Sequence, residues 1–337
     1  MIIIEYHDDL KEVQADGVLA ELLSAPSANA PFERLEWWRA LEAECGLMPF
    51  MAIAKDGEHR AVLPMYHIQR RLEAFANWYN FRVGPLFSSG ADPAALLTAL
   101  ARDLTGEATR IVLSPLPDEA GETTAIAAAF RRAGWWVFRS VCDTNHILRV
   151  DGRSFAEYLA ARPGALRTAL RRKADKVEIS IETHYNPDSW RAYEAIYAKS
   201  WKPQEGSPSF LRRFAAAEGA AGRLRLGIAR CGGEPVAAQL WSVEGGTAFI
   251  HKLAHTEGFR QLSPGTTLSA ALFEHVIDRD QVSLVDFGTG DDAYKRDWME
   301  QTRPRYRLDM LRPGWPGNWP AIARHAARRL AHRPSDD

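Results

Sequence analysis

Apolar and polar positions along the chain switch period several times, and the switches recur in the same order. Residues 50–63, "FMAIAKDGEHRAVL", place two apolar runs about the charged turn Asp56-Gly57, which predicts a β-hairpin. There follow "FRVGPLFSSG", a helix-period segment from Asp92 to Leu104, "DPAALLTALARDL", and a strand-like "RIVLSP" at 110–115. Residues 226–238, "LGIARCGGEPVAA", predict a second hairpin with the same Ile-Ala-basic start and the same Gly-Glu after its turn. After it come "TAFIHKLAHTEGFRQLSPG", the helix "TTLSAALFEHVI" and the strand "SLVDFG" at 283–288. Four elements repeated in order at a displacement of about 175 positions predict two related α/β units, each a mixed sheet with helices on its faces.

The region between the copies reads as their junction. "AIAAAFRRAGWWVFRSVCDTNHILRV" predicts a helix, a strand through Trp136 and Phe138, and another strand ending near Val150. Ser154 is placed to cap a helix, and Pro163-Gly164 breaks it before a second one. In "DSWRAYEAIYAKSW", Trp190, Tyr193, Ile196 and Tyr197 share one helical side, as a core-facing helix requires. The expected organisation is a degenerate first unit over 1–150, a second unit with the donor site over 151–310, and a basic tail over 311–337.

Composition narrows the function. With 337 residues, two cores can be buried without a metal or disulfide staple. Cys45, Cys142 and Cys231 are too few and too scattered for a disulfide framework or a zinc knuckle. The start, "MIIIEYHDDL", reaches acidic residues before a signal-peptide core can form, and no apolar run is long enough to span a bilayer, so a cytoplasmic protein is expected. Forty-two basic against 43 acidic side chains give a formal net charge of -1, which argues against DNA as a partner. Local basic stretches remain. Arg167 and Arg171, with Arg172, Lys173 and Lys176 behind them, form either a solvated helix face or an anion groove. The tail, with Trp319, Ile322, Leu330, Arg324, Arg328, Arg329 and Arg333, reads as a short basic amphipathic helix that docks on its own protein or lies weakly on a membrane surface.

Two stretches carry candidate chemistry. In "FRQLSPGTTLSAALFEHV", a helix that begins near Gly265 offers unpaired amides to an anion; Gly265 keeps side-chain bulk away, and Thr266 and Thr267 add hydroxyl donors. In "LVDFGTGDDAYKRDW", polar groups cluster just past an apolar strand, with Asp292 a candidate helix cap. Its aspartates lack the His or Cys partners of a metal site, so no metal is expected. His251 alternates with Phe249 and Leu253 and is read on their side of the strand, either as a satisfied sheet histidine or as a base near an acceptor amine. Asp286, on the neighbouring strand, is placed to orient it or to bind the amine.

With the repeat, the "SPG" junction and "VDFGTGDDAYKRDW" together, the chain resembles the tandem GNAT-like acyl-CoA N-acyltransferases. Within these it is similar to the CelD-like acetyltransferases of cellulose biosynthesis and, more distantly, to Fem-type aminoacyltransferases. The resemblance covers most of 30–310 and implies a duplicated mixed α/β fold. It also implies that the junction amides hold a donor pyrophosphate. Gln261 and Gly265 are separated by three residues and no second glycine follows, a departure from the superfamily signature that the "SPG" branch tolerates. The donor-binding set is Leu253, Arg260, Gln261, Ser263, Gly265, Thr266 and Thr267. The Tyr-Lys pair that such proteins carry falls on Tyr294 and Lys295, which with His251 and Asp286 form the catalytic set. Tyr294 would protonate a departing thiolate or hold the acceptor, and Lys295 would stabilise charge or anchor an anion.

The implied reaction is direct transfer of an acyl group from acetyl-CoA or a longer acyl-CoA to the primary amine of an amino sugar, peptide or lipid. No nucleophilic serine or cysteine and no metal are needed, because the thioester is already activated. The aromatic block "NWYNF", 77–81, with Trp37, Trp38 and Tyr66, is read as shaping a sugar or lipid acceptor site or as packing. Two other readings are aminoacyl transfer from a charged transfer RNA, and a scaffold that has kept the fold without turnover.

Overall fold

The computed structural model describes residues 1–69 and 71–331, apart from the side chains of 328–331. Along the chain the elements are β1 (Ile3–His7), α1 (Leu10–Ala15), α2 (Gly17–Leu22), α3 (Leu35–Cys45), β2 (Pro49–Asp56), β3 (His59–Ile68), β4 (Arg71–Ala74), β5 (Leu86–Phe87), α4 (Pro93–Asp103), β6 (Arg110–Leu116), α5 (Glu122–Arg132) and β7 (Trp136–Arg149). They continue with α6 (Phe155–Ala160), α7 (Gly164–Lys173), β8 (Glu178–Glu182), α8 (Pro187–Ala198), α9 (Pro208–Ala220), β9 (Leu224–Cys231), β10 (Glu234–Glu244), β11 (Thr247–His255), α10 (Pro264–Glu274), β12 (Leu284–Thr289), α11 (Ala293–Trp298), β13 (Gln301–Leu311) and α12 (Trp319–Ala331).

These form two compact units. The first comprises Met1–Ala28, Phe32–Asp143 and Pro304–Asp337; the second comprises Asn29–Pro31 and Thr144–Arg303. In the first, the strand order is β1-β2-β3-β4-β6-β13, with β4 parallel to β6 and the other neighbours antiparallel. In the second it is β8-β9-β10-β11-β12 followed by the second half of β7, with β11 parallel to β12 and the others antiparallel. Order and direction agree strand for strand, so the repeat in the sequence is a repeat of topology. The closing strands are exchanged: β7, which follows the first copy's α5, ends in the second unit, and β13, which follows the second copy's α11, enters the first. The units therefore divide inside strands, at 143/144 and 303/304.

Local chemistry explains why the elements stand where they do. Asp92 accepts from the amides of Ala94 and Ala95 and Pro93 opens α4, which then buries Leu96, Leu97 and Leu100 on the first sheet. Ser154 and Glu157 form a reciprocal capping box at the start of α6. In the second unit α10 buries Leu268, Leu272 and Phe273 against Ala229, Trp241 and Ile250. It comes so close to β9 that a Cβ on Gly227 would lie 2.8 Å from Leu268.

Trp190, Tyr193, Ile196 and Tyr197 are all buried along α8. Trp37, Trp38, Tyr79 and Phe81 are buried too, with Trp37 Nε1 donating to Asn80 Oδ1 at 3.3 Å and Trp38 Nε1 to Phe32 O at 3.0 Å; Trp78 is exposed. One sequence expectation is corrected here: the two strands read before Val150 are one, the 14-residue β7, because its polar Asn145 is satisfied inside the sheet. The tail forms α12 and meets its own unit through Ala321, which is buried, and His325, whose Nε2 lies 2.8 Å from Asp309 Oδ2. Arg333 lies outside the described residues, as do the side chains of Arg328, Arg329 and Leu330. Among the described residues no helix is long and apolar enough to cross a membrane.

Candidate functional site

Strands β11 and β12 are paired only from Thr247↔Leu284 to Phe249↔Asp286, although β11 runs on to His255 and β12 to Thr289. Their far ends part, and helix α10 begins beside the gap. A cavity of about 590 Å³ is lined there by the end of β11, the entry to α10, and Tyr294 and Trp298 of α11.

The helix entry is built to leave donors free. Ser263 takes a left-handed conformation (φ 51°) and its amide bonds to Arg260 O; Thr267 bonds back to Ser263 O at 3.1 Å. Pro264 has no N–H, so the amides of Gly265 and Thr266 are the helix's unused donors at the cavity wall. Positive charge is held nearby: Lys173 Nζ donates to Ser263 Oγ at 2.9 Å, and Arg260 lines the cavity. Gln239, buried on β10, fixes this end of α10 by donating from Nε2 to Gly265 O (3.1 Å) and Ser269 Oγ (2.7 Å), while its Oε1 accepts from Trp241 Nε1.

A β-bulge decides which histidine faces the cavity. Leu240 pairs with Lys252 and Trp241 with Ile250, so His251 is the extra residue. Alternation breaks there. Phe249 and His251 lie toward Phe214 of α9, with the His251 ring edge-on to Phe214 at 4.9 Å and its Nε2 2.8 Å from Ser242 Oγ. Leu253 and His255, past the bulge, face α10 and line the cavity. The expectation that His251 shares a side with Leu253 is thus corrected. His255 packs on Trp201 at 4.4 Å, and its Nδ1 would be 3.5 Å from a Cβ on Gly265. Burial, reinforced by the charge of Arg260, holds its pKa below the usual histidine value, so the ring is neutral at neutral pH. No local mark in the sequence separates His255 from His251; the cross-strand register places it at the cavity.

The other candidate residues divide in the same way. Leu253, Arg260, Ser263, Gly265 and Thr266 meet at the cavity, whereas Gln261 is exposed and Thr267 is buried with its hydroxyl toward Ser263 O. Tyr294 lines the cavity, edge-on to Phe287 at 5.7 Å, and burial together with the neighbouring Asp292 carboxylate raises its phenol pKa well above the usual value. Lys295 does not line it; it is buried and donates to Thr289 O. Asp286 is buried on the other face of β12, accepting from Asn145 Nδ2 (2.6 Å), Gly288 N (2.8 Å) and Arg303 Nη2 (3.3 Å). Those bonds make it a brace for the β12 end and for Gly288, whose φ of 64° suits glycine at the register shift. Asp292 precedes α11 without capping it through its side chain. Behind this loop, His146 is 1% exposed with Nε2 3.0 Å from Asp291 Oδ1. Among the described residues no group of three or more His, Cys, Asp or Glu is placed to hold a metal.

Residues 160–296, which include the helix entry and Tyr294, match the family model described as an acetyltransferase (GNAT) domain. No curated protein matches the chain. Among solved structures, FemX superposes with a TM-score of 0.61 at 12% identity, over 91% of this chain and 98% of that one. The C-terminal (DUF2156) domain of a candidate lysylphosphatidylglycerol synthetase from Agrobacterium fabrum gives 0.59 at 13%, over 95% and 97%. A tandem GNAT protein from the clavulanic acid biosynthesis pathway gives 0.54 at 15%, over 91% and 98%. At such identities the likeness is one of fold. The chain has a mixed α/β, tandem GNAT-like fold, its second unit carries a GNAT-type acetyltransferase domain, and acyl transfer is the general chemistry that this domain supports.

Proposed function

We propose that the protein is an N-acyltransferase that takes its acyl group from acetyl-CoA or a longer acyl-CoA and passes it to a primary amine in a ternary complex. The observation that carries this reading is the cavity where β11 and β12 part, with unused amides of α10 on one wall and Tyr294 on another. The residues fit a pyrophosphate-bearing donor: Gly265 and Thr266 offer amides, the helix dipole favours an anion, and Arg260 and Lys173 supply charge. The thioester supplies the activated acyl carbon. His255, neutral and half-buried, accepts the proton that the amine loses as the C–N bond forms. Tyr294, held protonated, gives its proton to the sulfur as the C–S bond breaks and the thiol leaves, and the proton taken up by His255 returns to the phenolate through solvent. The narrower kinship with the CelD-like acetyltransferases belongs to the same proposal, as does a location in the cytoplasm.

Calorimetric titration with coenzyme A and acetyl-CoA tests the donor. Saturable binding that Gly265→Val weakens is the expected result, followed by amine-dependent thiol release in an acceptor screen. No binding of either ligand at millimolar concentration would overturn the proposal. Turnover with a charged transfer RNA would then favour the aminoacyl reading, and its absence the scaffold.

A further inference from the structure

A second, smaller cavity of about 230 Å³ lies within the first unit and is lined by Arg110, Ser140, Arg307, Asp309, Arg324 and His325. Asp309 is buried, and its carboxylate is already engaged. Arg110 donates to it through Nε (2.8 Å) and Nη2 (2.7 Å), and His325 Nε2 sits 2.8 Å from Oδ2. Phe138 stacks on the His325 ring at 4.2 Å and 9°, which fixes the histidine over the carboxylate. Arg307, two residues before Asp309 on β13, points to the same side of the strand. Among the described residues its guanidinium has no hydrogen-bond or ion-pair partner, and Arg324 bonds only to Pro320 O of its own helix at 3.3 Å. Three guanidinium groups thus converge on one cavity against a single lining carboxylate, and among the described residues neither Arg307 nor Arg324 is paired with an acidic group.

Solvated surface arginines are common, but they ordinarily spread apart; here a bidentate pair anchors Arg110 and the chain path directs the other two toward it. We propose that this cavity binds a phosphate group. Guanidinium forks match phosphate oxygens in pairs, Ser140 adds a hydroxyl donor, and the open side leaves room for an ester substituent. The phosphate belongs either to a free anion or to an anionic lipid headgroup. The second source draws support from Trp315 and Trp319, both exposed at the approach to α12, where indole rings suit a membrane interface.

The test uses the full chain, inorganic phosphate, and phosphatidylcholine vesicles with or without phosphatidylglycerol. In calorimetry the unmodified protein binds phosphate, and the double variant Arg307→Gln, Arg324→Gln binds at least about tenfold more weakly. Neither side chain anchors the fold, so thermal unfolding of the double variant should match the parent. Gly265→Val should leave this binding intact, which separates it from the cavity at α10. Flotation on phosphatidylglycerol vesicles that is lost in the double variant and competed by phosphate identifies a lipid headgroup; phosphate binding without flotation identifies a free anion. Equal phosphate affinity in parent and double variant overturns the site, as does a parent that binds neither phosphate nor anionic vesicles.

Discussion

Tyr294 and Lys295 are neighbours on α11 and meet the same ring, yet only one reaches the cavity: Tyr294 stands edge-on to Phe287 at 5.7 Å and lines it, while Lys295 Nζ lies 5.2 Å from the same Phe287 centroid and donates to Thr289 O. The proposed chemistry therefore rests on the tyrosine. Tyr294→Phe keeps the edge contact and removes only the hydroxyl, so kcat should fall about 100-fold or more while donor affinity stays unchanged. Steady-state kinetics beside calorimetry check this. A loss below about tenfold would reduce Tyr294 to positioning.

Lys295→Met should act through the fold. The lysine is 4% exposed, and its loss leaves Thr289 O without that donor at the turn that carries α11. Stability should fall by about 1–3 kcal/mol in denaturant unfolding, with any rate effect following from a displaced Tyr294. Unfolding like that of the parent, together with a lower kcat, would instead assign Lys295 to charge on the reacting groups.

Much of this arrangement could be read from the chain, because it depends on local chemistry. The Asp92 cap, the Asp56-Gly57 turn and the Ser263-Pro264-Gly265 helix entry are each set by a few adjacent residues. What escaped reading depends on partners distant in sequence. The bulge at His251 exists because β10 pairs on either side of it, and a period-two pattern extended through position 251 carries every later residue to the wrong face. Asp286 reads as a candidate beside a glycine-rich loop, whereas the Asn145 and Arg303 bonds that make its carboxylate a brace come from partners distant in sequence. The exchange of β7 and β13 is invisible locally, since each strand's own pattern is the same whichever sheet receives it.

His255 and His251 should separate in a pH profile. If His255 accepts the amine proton, kcat/KM rises with pH as its imidazole loses charge. Burial and Arg260 place that rise below the ordinary histidine range, so the rate should already be flat at neutral pH unless the amine itself limits it. His255→Asn should remove the acid limb and about 100-fold of the rate. His251→Asn should keep the limb and cost about 1 kcal/mol of stability through the bond to Ser242.

Stability should itself depend on pH. Burial lowers the pKa of His146, against the opposing pull of Asp291, and likewise lowers those of His255 and His275. A group whose folded pKa lies below its unfolded value stays neutral in the folded state while the unfolded chain takes up the proton. The free energy of unfolding should therefore be highest above the unfolded histidine pKa of about 6.5 and decline as pH falls through it. Urea titrations at about pH 7.5 and about pH 5.5 measure the slope. Equal midpoints would mean that these rings are protonated in the folded protein as readily as in the unfolded chain.

Two glycines on or beneath α10 give the sharpest contrast. At Gly227 a Cβ would stand 2.8 Å from Leu268 Cδ1 and 2.9 Å from Leu272 Cδ1, so Gly227→Val must displace these two buried leucines and should destabilise the unit by about 1–3 kcal/mol. At Gly265 the nearest atom to a Cβ is His255 Nδ1 at 3.5 Å, an ordinary contact, and the backbone is helical. Gly265→Val should therefore fold, with its added methyl groups filling the space between the imidazole and the free amides. Donor binding should weaken at least about tenfold while the urea midpoint shifts little. A Gly265→Val protein that unfolds like the parent and binds the donor with the parent's affinity would show that the amides at Gly265 and Thr266 do not receive the donor's phosphates.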